Sequence, residues 1–221
     1  MRSIAAVEPA SMTTLSAAKA AELASQAEGV IGLDSVVQLA PDAALQLARH
    51  ANGLSLDGLQ TVDAATARAL AMHGRLDHID QDDELDVDTI LQKIDACFAT
   101  STGEALDGED LDAVLADLAG SPDDAAEGGA DEAASDPWLS LGGLRTISPE
   151  AASALAMHDG PLLLDGLATI STDVARSLAT HSGELSLAGL TRLSDDARAA
   201  LEEHDGPVTL PDALVSTADT P

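Results

Sequence analysis

Between Leu139 and Pro207 the apolar and polar positions follow one pattern three times, starting at Leu139, Leu162 and Leu185, 23 residues apart without insertion or deletion. In the first of these units Leu139 and Leu141 flank Ser140, the alternation of a strand with one buried face. Leu144 and Ile147 carry the apolar set through a turn at Gly142–Gly143. Ser148 then stands as a helix N-cap, with Pro149 at the first helical position and Glu150 near the positive end of the helix dipole. Ala152, Leu155 and Ala156 form a short inward stripe, and a glycine follows at Gly160, as at Gly53, Gly74, Gly183 and Gly206, where a left-handed helix end is expected. Each unit therefore reads as strand, turn, one short helix, turn. A fixed period of this length is the signature of a solenoid, in which each unit buries its apolar face against the next.

Two further copies begin at Ile31 and Leu54. The caps corresponding to Ser148 are Asp63, Ser171 and Ser194; in the unit from Ile31 that position is Ala40, followed by Pro41 and Asp42. Residues 1–30 hold a worn copy in Val7–Gly29, whose helical half survives as LSAAKAAELASQAEG, as a capping unit would. Residues 31–79 are thus repeats, and a strand that begins at Leu76 fails. In residues 80–119 the spacing of Ile90, Leu91, Ile94 and Phe98, and of Leu111, Val114, Leu115 and Leu118, predicts a helical hairpin over Asp88–Ala99 and Gly108–Ala119. Residues 120–137, rich in acid and glycine, read as a disordered linker. Repeats resume over 138–210, with Trp138 expected to cover the exposed flank of the first unit after the interruption, and 211–221 form a polar tail.

The expected fold is α/β. Stacked strands lie ~4.8 Å apart in a parallel sheet, whereas helix axes need ~8–10 Å, so the array bends into a horseshoe or arc with the sheet on its concave side. The L-x-L-x-G-L-x-x-L-S units resemble those of divergent bacterial leucine-rich-repeat proteins over Ile31–Arg75 and Leu139–Leu210, and more faintly over Val7–Gly29. Where that family carries an Asn ladder, this chain has Val36, Leu59, Leu144, Leu167 and Leu190. The resemblance implies protein–protein recognition on the concave sheet, whose outward strand residues are Gly32, Ser55, Ser140, Leu163, Ser186 and Thr209.

Composition agrees with thin repeated layers: there is one Phe, one Trp and no Tyr, where an ordinary core draws on several aromatics. The net charge of −29 argues against nucleic acid and against an anionic membrane surface. Asp80–Asp136 holds 19 acidic residues against one lysine, so most of the excess belongs to the interruption. Its QDDELDVD run spaces oxygens like a calcium loop, but Leu85 and Leu91 stand where that loop needs Gly and an acid; a solvated acidic segment offering weak divalent binding fits better. The single cysteine, Cys97, excludes an intramolecular disulfide and fits a reducing compartment. The N-terminal apolar run is too short for a signal peptide and no stretch is long enough to span a bilayer, so cytoplasmic is the expected location.

Five histidines share one phase, at His50, His73, His158, His181 and His204. Imidazole is a common zinc or nickel ligand, but such a set must converge tightly, and helix spacing argues instead that each partly positive ring closes a helix C-terminus. No nucleophile–base arrangement and no phosphate-cradling loop is visible. The expectation is a non-enzymatic interaction module without cofactor or metal, contacting a protein partner. The alternatives are a structural scaffold, or one that self-associates through the strand at Val208–Leu210, and an acidic protein that binds divalent cations weakly.

Overall fold

A computed structural model describes residues 13–27, 29–76, 89–90, 92 and 137–215. Among these, strands β1 (Thr14–Leu15), β2 (Ile31–Gly32), β3 (Gln38–Leu39), β4 (Leu54–Ser55), β5 (Leu139–Ser140), β6 (Leu162–Leu163), β7 (Leu185–Ser186) and β8 (Val208–Thr209) alternate with short helices. The helices are α1 (Ala17–Gln26), α2 (Pro41–Ala48), α3 (Ala64–Ala71), α4 (Pro149–Leu155), α5 (Thr172–Ala179), α6 (Asp195–Leu201) and α7 (Asp212–Val215). The class is α/β with parallel strands. Thr89, Ile90 and Gln92 are helical and Ile90 joins the main apolar core, but the expected hairpin and acidic linker otherwise lie outside the described residues. None of the described helices is long and apolar enough to cross a membrane.

Six strands form one sheet in the order β2-β4-β5-β6-β7-β8, every pair parallel. The order follows the chain, and the sheet does not break at the interruption: Leu54 pairs with Leu139 and Ser55 with Ser140. β5 therefore occupies the place next to β4 in the sheet, and the residues just after Leu76, where a strand is expected to fail, lie outside the described residues. Each strand is two residues long, too short to stand alone. A regular set of backbone bonds compensates: Leu54 donates to Trp138 (2.9 Å), Leu139 to Pro161 (2.9 Å), Leu162 to Glu184 (2.8 Å) and Leu185 to Pro207 (2.9 Å).

A second, shorter ladder runs just before the helices. Here β1 pairs with β3, and Thr169 bridges Arg192. The pre-helix segment of the worn first unit thus lies beside its counterpart in the next unit, while the worn unit's expected strand half lies almost wholly outside the described residues.

The leucines fill the space between the strands and the helices. Leu33, Leu56, Leu141, Leu164 and Leu187 make one buried row, and Val36, Leu59, Leu144, Leu167 and Leu190 the next. The positions that hold an Asn ladder in leucine-rich repeats are thus plain core here. Consecutive helices touch from α1 through α6, with buried alanines such as Ala44, Ala67, Ala152 and Ala175 between them. Small side chains allow the short interaxial distances that a sheet only one strand wider per unit demands.

The expected caps form. Asp63 accepts from Thr66 N–H at 2.7 Å, and Ser148, Ser171 and Ser194 each accept from the third residue on at 3.2 Å. Ala40 gives no side-chain cap, and Pro41 begins its helix. The helix-ending glycines behave differently from the expectation. Only Gly74 has a positive φ, 82°. At Gly160 and Gly206 a β-carbon would run into the backbone carbonyl of Pro137 and Gly183 respectively, and at Gly53 into the indole of Trp138. Close approach of the neighbouring unit, and not a left-handed turn, requires glycine there.

Candidate functional site

The outward row of the sheet is in register as Gly32, Ser55, Ser140, Leu163, Ser186 and Thr209. Its serines are engaged within the protein. Ser55 donates to Asp34 at 2.7 Å, Ser140 to Asp57 at 2.6 Å and Ser186 to Asp165 at 2.6 Å. In each case the aspartate lies in the turn of the preceding unit. Asp57 also accepts from Gly142 N–H (2.7 Å) and Asp165 from Ala188 N–H (2.9 Å). A carboxylate accepting from a hydroxyl and an amide is a charge-assisted ladder between units.

Where a unit has no aspartate in this turn, the next strand has no serine. Gly142 is followed by Leu163, and Ala188 by Thr209. The spacing signal, Asp to Ser at 21 residues in Asp34/Ser55 and Asp165/Ser186, is present in the sequence; for Asp57 and Ser140 the interruption stretches it to 83. Asp57→Ala is expected to cost about 1–3 kcal/mol, because the Ser140 hydroxyl, on a residue 8% exposed, and the Gly142 amide both lose their acceptor. Asp57→Asn keeps an acceptor oxygen and should cost less. Thermal unfolding of the two variants checks this, and equal losses would contradict it.

The lapse of the ladder at Gly142–Leu163 leaves the middle of the sheet apolar. Leu163 and Pro161 are half-buried there. Trp138, two residues before Ser140 and so on the same side of the strand, lays its indole over Gly53 of the preceding unit and is also half-buried. It therefore spans the junction at which the interruption enters, on the outward face, a larger role than the flank cover expected from its place in the sequence. Arg75 pairs with Asp159 across the same junction at 2.5 Å.

The histidine phase forms a column at the C-terminal ends of the helices. Backbone N–H groups of His50, His73, His158, His181 and His204 each bond the leucine carbonyl three residues earlier, closing the helix as expected. The rings are not exposed. His73 and His158 are 0% and 1% exposed, His181 1%, His50 3% and His204 9%. Burial drives the His73 ring down to about 3, helped by the neighbouring rings of His158 and His50 and opposed by the Asn52 carbonyl. Burial likewise takes His158 to about 4, helped by His181 and Arg75 and opposed by the Pro137 carbonyl and Asp159. His50 and His181 are lowered for the same first cause. These are neutral imidazoles, so the expected charge complement to the helix dipole is absent.

Ring centroids lie 6.5 Å apart for His50–His73, 5.6 Å for His73–His158 and 5.9 Å for His181–His204. Among the described residues no three His, Cys, Asp or Glu side chains are placed to hold a metal ion. An open groove of about 500 Å³ borders the short ladder near Leu15, Leu39 and Val62; its one carboxylate, Asp63, is already the cap of α3. The acidic run near Asp80–Asp88 lies outside the described residues. In the three comparisons, with family models, with curated proteins and with solved structures, nothing matches this chain.

Proposed function

We propose that the chain is a solenoid of leucine-rich-repeat-like units acting as a non-enzymatic protein-binding module, with the outward face of its sheet as the contact surface. The observation that carries this reading is the half-buried trio of Trp138, Pro161 and Leu163 on that face, where the Asp–Ser ladder lapses. Interface energy concentrates on a few anchors, tryptophan foremost, surrounded by groups that exclude water. The paired Ser55, Ser140 and Ser186 supply such a satisfied, small-residue surround. In the proposed horseshoe, whose curvature is expected from strand and helix spacing, this surface is the concave side.

The test is affinity capture with the intact chain, with Leu163→Glu and with a chain lacking Asp80–Asp136. Leu163→Glu is expected to abolish capture while the thermal midpoint stays within a few degrees. Capture that survives Leu163→Glu but fails without Asp80–Asp136 would move the contact to the acidic segment. A second reading, self-association, is favoured by one observation: β8 ends the sheet among the described residues, with Thr209 exposed. A strictly monomeric chain across a wide concentration range removes it.

A further inference from the structure

The core of a protein this acidic contains a line of five buried imidazoles. Both ring nitrogens of His73 and of His158 are buried without a hydrogen-bond partner, and so is Nε2 of His181 and of His204. The other rings reach backbone groups nearby. His50 Nε2 meets the Gly29 carbonyl at 2.6 Å, His181 Nδ1 meets that of Ala156 at 3.2 Å, and Gly206 N–H donates to His204 Nδ1 at 2.9 Å. His73 and His158, the pair with the shortest spacing, face each other across the junction between α3 and α4.

We propose that this column is a proton-sensitive latch: mild acid loosens the array at the His73–His158 step, the step at which the acidic interruption enters the chain. A proton added to either ring is cut off from bulk water and finds no well-formed hydrogen bond, the nearby Asn52 and Pro137 carbonyls offsetting only part of the cost of burial. A second proton places like charges on neighbouring rings within the core. The charged side chains facing this step are Arg75, which opposes a charge on His158, and Asp159, which favours one on His158 and His181. Asp159 is already paired with Arg75, and it is more than half exposed.

The direction of the effect follows from linkage. Well above pH 6.5 the rings are neutral whether the chain is folded or not, so they contribute no pH dependence. As pH falls below 6.5 the unfolded chain takes up protons that the folded chain refuses. Each refusing ring lowers the folding constant about fivefold over the first pH unit and about tenfold per unit thereafter, down to its folded value of about 4 for His158 and about 3 for His73. Most carboxylates, with an ordinary pKa of ~4, stay ionised between pH 6.5 and 5.5, which isolates the histidines in that window.

Urea unfolding of the full chain at pH 7.5, 6.5 and 5.5 tests this. The folding constant is expected to fall at least about thirtyfold between pH 6.5 and 5.5, the share of two rings. His73→Leu with His158→Leu, which removes no hydrogen bond of those rings, should recover about thirtyfold of that loss. A pH-independent intact chain, or an unchanged slope in the double variant, overturns the proposal. Should the variant not fold, NMR of the intact chain decides: ring signals that stay neutral until the chain opens support the latch, and signals titrating near 6.5 in the folded chain overturn it. Hydrogen-exchange protection at pH 5.5 should drop at α3 and α4 before α6; a uniform drop overturns the assignment to this step.

Discussion

Gly143→Ala is expected to destabilise the chain by about 3 kcal/mol or more, the upper end of what overpacking costs. The added methyl would fall on the backbone carbonyl oxygen of Asp57 and close to that of Leu59. Neither belongs to a side chain that can swing away. Nor can the two units simply part, because Leu56 N–H to Ser140 carbonyl, at 2.9 Å, fixes their separation. The same collision awaits a side chain at Gly58, Gly166 and Gly189, each over the turn carbonyl of the unit before. The unit that begins at Ile31 has Ser35 at this position, and it is the first strand of the six-stranded sheet. Among the described residues glycine is therefore present where a preceding strand of the sheet requires it, and Ser35 stands where no preceding strand of that sheet is described. Gly32, where an added methyl would meet nothing within 4 Å, is the control, and Gly32→Ala should stay within about 0.5 kcal/mol of the parent. Equilibrium denaturation of the pair checks the contrast, and similar losses in the two would contradict it.

Leu164→Ala should cost about 3–5 kcal/mol, the upper part of the range for deleting a buried leucine. Leu164 is 0% exposed and sits in the row between Leu141 and Leu187, both also fully buried. How much such a site recovers depends on whether its surroundings can collapse into the gap. Here the flanking units are held by Leu141 N–H to Leu163 carbonyl and Leu164 N–H to Ser186 carbonyl, each at 2.8 Å, so collapse would strain the sheet. Leu210, at the last position of the same phase, is only partly buried, and Leu210→Ala should cost less than half as much. Urea midpoints for both variants provide the measurement.

Much of the fold is legible in the sequence because a period repeated without error leaves few alternatives. The strand starts at Ile31, Leu54, Leu139, Leu162 and Leu185 and the caps at Asp63, Ser148, Ser171 and Ser194 are where the pattern puts them. Features that depend on contacts between units are harder to see. Gly160 looks like a helix stop when its own unit is considered alone, but its reason is a carbonyl in the unit before. His73 follows a helix end, the usual place for an exposed, partly charged ring, and only the lateral packing of neighbouring units buries it. The Asp–Ser ladder escapes a reading of single units because its partners sit in different ones, and because the serines alone suggest a free polar row. The contact surface is legible as a row of residues, whereas the place of Trp138 over Gly53 follows from the join of two segments 85 residues apart in the pairing.

The central claim is that one sheet runs in chain order through the interruption, with the units on either side as direct neighbours. Gln60 and Arg145 are both exposed and adjacent across that junction, Arg145 N–H meeting the Gln60 carbonyl at 3.1 Å. Thr191 holds the same phase two units further on, ~14 Å from Gln60 by strand spacing and beyond disulfide reach. With Cys97→Ser removing the single native thiol, mild oxidation should close a monomeric disulfide in Gln60→Cys/Arg145→Cys and none in Gln60→Cys/Thr191→Cys. Failure of the first pair to close, or closure of the second, would contradict the account.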